Sequence, residues 1–202
     1  MVLTEGGEET IVVLGADHVT AHRAADGKEI WRVGGLNPTG HKYFRSISSP
    51  VVADSIVVAP YARGGSLTAI RLGGHGDVTR SHVLWTKENL GADVPTPAAD
   101  DGKIYLCTDR GEVSALDVHS GKVLWSGLVE KNRHAFSASP VVAGGKIYVT
   151  REDGKTFVLD QGGAFKVLAA NELEGELVVA TPVLVDGRVL IRTAKRLYCI
   201  SK

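Results

Sequence analysis

Two loops of this 202-residue chain carry related chemistry. His41, Tyr43 and Arg45 lie in NPTGHKYFRS, and Arg133 and His134 lie in EKNRHAFS; both loops run into a serine-containing stretch that ends in proline. A guanidinium offers paired N–H donors that fit a carboxylate or phosphate. Arginine beside aromatic residues is also the composition of binding hot spots. Arg63, Arg110 and Arg151 fall in shorter turns, YARGGS, TDRGE and REDGK, with Arg196 in TAKRL. Binding of an acidic group is therefore the chemistry these residues suggest, with His41, Tyr43, Arg45, Arg63, Arg110, Arg133, His134 and Arg151 as candidates. The same side chains also read as solvated turn residues copied along with a repeat.

Other chemistries find less support. His18 and His22 are four apart, a spacing that shares a face on a helix but is no zinc signature on strands and turns. GGHGD, from Gly73, lacks the Gly-Lys-Ser/Thr ending of a phosphate loop, and no Gly-x-Ser-x-Gly elbow occurs. Cys107 and Cys199 each lie in a strand-like run and indicate no disulfide framework. No catalytic residue, metal site or cofactor is predicted. Lysine plus arginine equals aspartate plus glutamate at 23 each, which argues against a nucleic-acid partner. No segment approaches the ~18 uninterrupted apolar residues of a membrane helix. The N-terminus, MVLTEGGEE, shows no signal-peptide pattern.

The elements that must position these loops repeat. Small-residue-proline pairs begin SPVVADSIVVAP, TPAADDGKIYLC, SPVVAGGKIYVT and TPVLVDGRVLIR, with Pro50, Pro97, Pro140 and Pro182 spaced by 47, 43 and 42 residues. A period of roughly 40–45 residues suits propeller blades of four strands. Within each unit, β-branched and aromatic runs alternate with Gly- and Asp-rich turns, the pattern of consecutive hairpins. No stretch holds a helical apolar period. The expected fold is an all-β propeller of about five four-stranded blades, approximately 1–45, 46–92, 93–135, 136–178 and 179–202. The last blade lacks its fourth strand. That imbalance reads as the C-terminal part of a larger propeller of seven or eight blades, with a self-closing five-bladed ring as the alternative. Open blade edges would then allow self-association.

The third unit completes a phrase: Ala115, Asp117, Ser120, Gly121, Lys122 and Trp125. The first keeps Ala21, Gly27, Lys28 and Trp31. The second keeps Ala69 and Trp85 around a turn lengthened by six residues. The fourth keeps Asp160 and is expected to place Leu168 where the tryptophan stands. Gly121 suits a turn needing positive φ, Asp117 can accept turn N–H groups, and the tryptophans bury a large flat surface. The phrase reads as a fastener between blades.

These residues resemble the repeat signature of the quinoprotein-type, pyrroloquinoline-quinone-like (PQQ-like) β-propeller family. Within it, the chain is similar to the propeller lipoproteins of the outer-membrane β-barrel assembly machinery. That resemblance implies a non-enzymatic scaffold or ligand-sensing domain, periplasmic or exported, binding a protein or small acidic ligand at its loop rim. The alternative it implies is a fragment of a quinone-dependent dehydrogenase. That enzyme would need PQQ, calcium, a catalytic aspartate and an adjacent cysteine pair, and no residue here matches that set.

Overall fold

A computed structural model describes residues 1–5, 8–42, 47–61, 63, 65–173 and 175–201. The candidates Tyr43 and Arg45 lie outside the described residues. The chain divides into two compact units, Met1–Asp93 with Val118–Gly121, and Val94–Asp117 with Lys122–Lys202.

In the first unit, β1 (Val2–Glu5), β2 (Glu8–Leu14), β3 (Val19–Arg23) and β4 (Glu29–Val33) form an antiparallel meander. A second meander contains β5 (Val51–Ala53), β6 (Ile56–Tyr61) and β7 (Ser66–Arg71). The lengthened turn that follows does not dangle. Its residues β8 (Gly76–Asp77) add to β4 in parallel, and the short helix α1 (Thr79–His82) leads back to β9 (Val83–Glu88), which completes the second sheet. The core of this unit includes Val12, Val19, Ala21, Trp31, Val57 and Ile70, all buried.

In the second unit, β10 (Ala98–Asp100), β11 (Lys103–Cys107), β12 (Glu112–Asp117) and β13 (Val123–Leu128) form one sheet. The next comprises β14 (Val141–Ala143), β15 (Lys146–Thr150), β16 (Thr156–Asp160) and β17 (Val167–Asn171). The last holds three strands, β18 (Val183–Val185), β19 (Arg188–Arg192) and β20 (Leu197–Ile200). Tyr105, Val113, Trp125, Phe136, Ile147 and Phe157 lie in one buried cluster. Consecutive four-stranded antiparallel meanders of this kind are the blades of a β-propeller.

The recurring phrase has a recurring geometry. In each four-stranded blade a bulge between the third and fourth strands leaves one fourth-strand residue unpaired: Ile30, Leu84, Leu124 and Leu168. The next residue pairs with the small residue of the third strand: Ala21 with Trp31, Ala69 with Trp85, and Ala115 with Trp125. In the fourth blade that pair is Val158 with Ala169. Ala169, not Leu168, therefore occupies the tryptophan position. The turn between Asp160 and Lys166 is one residue longer than that between Asp117 and Lys122, which moves the position by one.

The proline-linked hydroxyls also repeat a contact. Thr96 N donates to Ser139 Oγ and Ser139 N to Thr181 Oγ1, each at 3.0 Å. A hydroxyl at the start of each of these blades thus satisfies a backbone donor of the one before.

Candidate functional site

Three of the candidates meet in the second unit. The β11–β12 turn and the β13–β14 loop enclose a cleft of about 680 Å³ lined by Arg110, Arg133 and His134, together with Asp109, Glu112, Leu128, Lys131 and Asn132. Arg110, Lys131 and Arg133 are exposed, so their charged ends are available to a ligand. Leu128 is 49% exposed and supplies an apolar surface beside them.

Backbone bonds fix the two loops against each other. Val129 N donates to Gly111 O at 3.1 Å, and Phe136 N to Asp109 O at 3.0 Å. Phe136 is buried and packs on Gly111, whose φ is +83°. A Cβ at Gly111 would stand 2.5 Å from Phe136 Cε2, so this turn requires glycine for both conformation and space. Within the loop, Asn132 Oδ1 accepts from His134 N at 3.1 Å, and Arg133 Nε donates to His134 Nε2 at 3.4 Å.

Arg151 plays a different part from the one its turn suggested. It is 2% exposed rather than displayed on the rim. Its Nε and Nη2 donate to the two carboxylate oxygens of Asp153, each at 2.9 Å. Its Nη1 lies 3.5 Å from Glu130 Oε1, and its guanidinium stands 5.5 Å from the Phe157 ring centroid. Lys155 Nζ bridges Glu130 and Glu172 at 2.7 and 3.2 Å. The hydrogen bond from Arg151 holds the Asp153 carboxyl below its ordinary value, and Lys155 does the same for Glu130. Because Glu130 belongs to the β13–β14 loop, this network anchors the loop that carries Arg133 and His134.

The remaining described candidates, His41 and Arg63, lie in the first unit. His41 is exposed, and its backbone closes an asparagine-capped turn: His41 N donates to Asn37 Oδ1 at 2.9 Å, and Asn37 Nδ2 to His41 O at 3.1 Å. Arg63 is exposed at φ +58°, with Nε 3.9 Å from the buried carboxylate of Asp93. Among the described residues, no group of three or more His, Cys, Asp or Glu side chains could hold a metal ion.

Two of the repeat tryptophans each reach a turn of the next repeat. Trp85 Nε1 donates to Val118 O at 2.9 Å, and its ring lies against Gly121, where φ is +64°. Trp125 Nε1 donates to Gly162 O, and Phe165 packs beside the ring at 6.1 Å between centroids. Sequence reasoning did not single out Lys131, Asn132 or Leu128 as site residues. Lys131 and Asn132 stand within the quoted EKNRHAFS loop, whereas nothing in the sequence marks Leu128 as part of a cleft.

Residues 77–202 match the family model described as outer membrane protein assembly factor BamB. The chain belongs to this family. It is 29% identical over 189 residues to BamB of Escherichia coli K12, covering 89% of this chain and 44% of that protein. It is 28% identical over 200 residues to BamB of Salmonella typhimurium LT2, covering 94% and 47%. The chain therefore spans under half the length of these curated relatives. The crystal structure of BamB from Moraxella catarrhalis superposes with a TM-score of 0.72 at 16% identity, covering all of this chain and 57% of that one. That likeness shows the shared propeller fold.

Proposed function

We propose that this chain is a non-enzymatic propeller scaffold that serves outer-membrane protein assembly from the periplasm by binding a protein partner through the Arg110–Arg133–His134 cleft. The observation that carries this reading is the convergence of Arg110, Lys131 and Arg133, from two loops fixed to each other, around one opening beside Leu128. Bidentate arginines recognise carboxylates, and an adjacent apolar contact is typical of a protein surface rather than a free anion. Membership of the BamB family supports the assembly role, and the repeat tryptophans support a rigid platform. The partner surface is acidic, and its binding weakens as salt screens the exposed guanidinium groups.

The test is complementation in the source organism. A strain lacking the full-length protein is supplied with wild type or with the Arg110→Ala, Arg133→Ala double variant. The expected result is outer-membrane protein levels as low as in the deletion strain, with normal abundance and melting temperature of the variant. Full restoration by the double variant would overturn the proposal.

A further inference from the structure

The outer edge of the fourth blade is unpaired among the described residues and lacks the ring that fills the tryptophan slot in the other four-stranded blades. β17 stands at the end of its sheet order and pairs only with β16 among the described residues. All five of its residues, Val167, Leu168, Ala169, Ala170 and Asn171, are exposed. None is charged and none is proline, the devices that usually keep an edge strand from pairing. By contrast, β9 ends in Lys87 and Glu88. On β13 the slot is filled by Trp125, 8% exposed and fastened to Gly162. On β17 it holds an exposed alanine, and the facing Val158 is half-buried where Ala21, Ala69 and Ala115 are fully buried.

The same chain shows what such an edge accepts. On β4, the counterpart of β17 in the first blade, β8 adds in parallel with Trp31 opposite Gly76 and Arg32 opposite Asp77. Val78 N extends the pairing by donating to Arg32 O at 2.9 Å. By the repeat register Trp31 corresponds to Ala169, and Arg32 to Ala170. Laterally paired residues share a face of the sheet. A large ring at Trp31 is matched by glycine on the added strand, so an alanine in that slot calls for a large side chain opposite.

We infer that β17 is a docking edge for an extended segment of a partner protein, which adds in parallel as β8 adds to β4 and places a large apolar side chain opposite Ala169. The Ala170 carbonyl takes the part of the Arg32 carbonyl as acceptor. Main-chain pairing supplies the attachment, and the residue facing Ala169 supplies selectivity. This edge is separate from the cleft, so variants of Arg110 and Arg133 leave it unchanged.

The probes are two peptides spanning residues 72–80 of this chain, one of native sequence and one carrying Gly76→Trp, each added in excess to the full chain. The Trp peptide is expected to bind on the order of tenfold more tightly, the effect of burying one large apolar side chain. It should also slow amide hydrogen exchange at residues 167–171. In Ala169→Trp the order of the two peptides reverses while the melting temperature holds. Equal binding of both peptides, an unreversed order in Ala169→Trp, or no saturable binding would overturn the inference. So would protection confined to β20. A molar mass that rises with concentration in wild type but not in Ala169→Lys would also overturn it, by making a second copy the occupant.

Discussion

The indole Nε1 of Trp125 donates to the carbonyl oxygen of Gly162 at 2.9 Å. Trp85 makes the same bond to Val118 at 2.9 Å. In both cases a tryptophan on a blade's fourth strand reaches the third-to-fourth-strand turn of the following repeat. The alanine paired beside each ring is fully buried, so it gives the indole room to lie flat. The fastener is therefore a three-part device of ring, small neighbour and turn, and each part can be altered separately.

Removing the ring at Trp125 tests the first part. Trp125→Ala is expected to lower stability by about 3–5 kcal/mol, the usual range for deleting a buried aromatic. Trp125→Phe keeps most of the apolar contact with Phe165 and loses the bond to Gly162. Gly162 is exposed, so water can replace that bond, and the loss should be only about 1 kcal/mol. Urea unfolding with an unchanged slope would give both values. Equal losses in the two variants would assign the fastening to the hydrogen bond rather than to the ring.

The turn is tested by comparing two glycines in the left-handed region. Gly144 has φ +57° with nothing within 4 Å of an added Cβ, so Gly144→Ala carries only the backbone penalty of roughly 1–2 kcal/mol. Gly121 has φ +64°, and its added Cβ would lie 2.7 Å from Trp85 Cδ2. Gly121→Ala should therefore be worse than Gly144→Ala by about 1–3 kcal/mol, the cost of overpacking. Matching midpoints in urea for the two variants would show that the Trp85 contact yields freely.

These parts differ in how far the sequence announces them. Proline spacing, Asp-Gly and Gly-Gly turns and the three tryptophans are local signals, and they suffice for the blades and their order. The fourth unit is subtler: counting from Asp160 selects Leu168, counting from Lys166 selects Ala169, and only the strand register decides between them. The six extra residues before Trp85 are visible as length, but their pairing with β4 depends on a neighbouring repeat. Arg110, Arg133 and His134 were legible as neighbours because turns at one end of repeated hairpins lie close together, and they line one cleft. Arg151 reads identically in sequence, yet Asp153, Glu130 and Phe157 close around it, and that burial is set by contacts between loops.

The thiols offer a check on which strand faces are open. Cys107 on β11 is buried, and desolvation pushes its pKa up to about 12, with the Asp109 charge adding to the effect. Thiolate is the reactive form, so Cys107 should resist iodoacetamide in the native protein. Cys199 on β20 is exposed. Mass spectrometry should find one adduct, on Cys199, under native conditions and two in denaturant. Rapid native labelling of Cys107 would show that the buried cluster of the second unit opens far more readily than its packing implies.

The pair of Arg151 and Asp153 predicts an acid limb in the stability of the second unit. The paired hydrogen bonds from Arg151 lower the Asp153 pKa from its ordinary 3.8, outweighing the desolvation that would raise it. A folded pKa below the unfolded one means that the unfolded chain binds more protons between the two, so stability rises with pH there. The contribution is complete above the unfolded value of 3.8 and is lost as pH falls through the lowered folded value. Asp153→Asn removes this titration. The variant should be less stable than wild type at neutral pH, because Arg151, buried, keeps only Glu130 as a charged partner. Its stability should then fall less steeply below pH 3.8. Chemical unfolding followed from neutral pH into that acid range measures the two slopes, and parallel curves would remove Asp153 as the group that couples this loop anchor to protons.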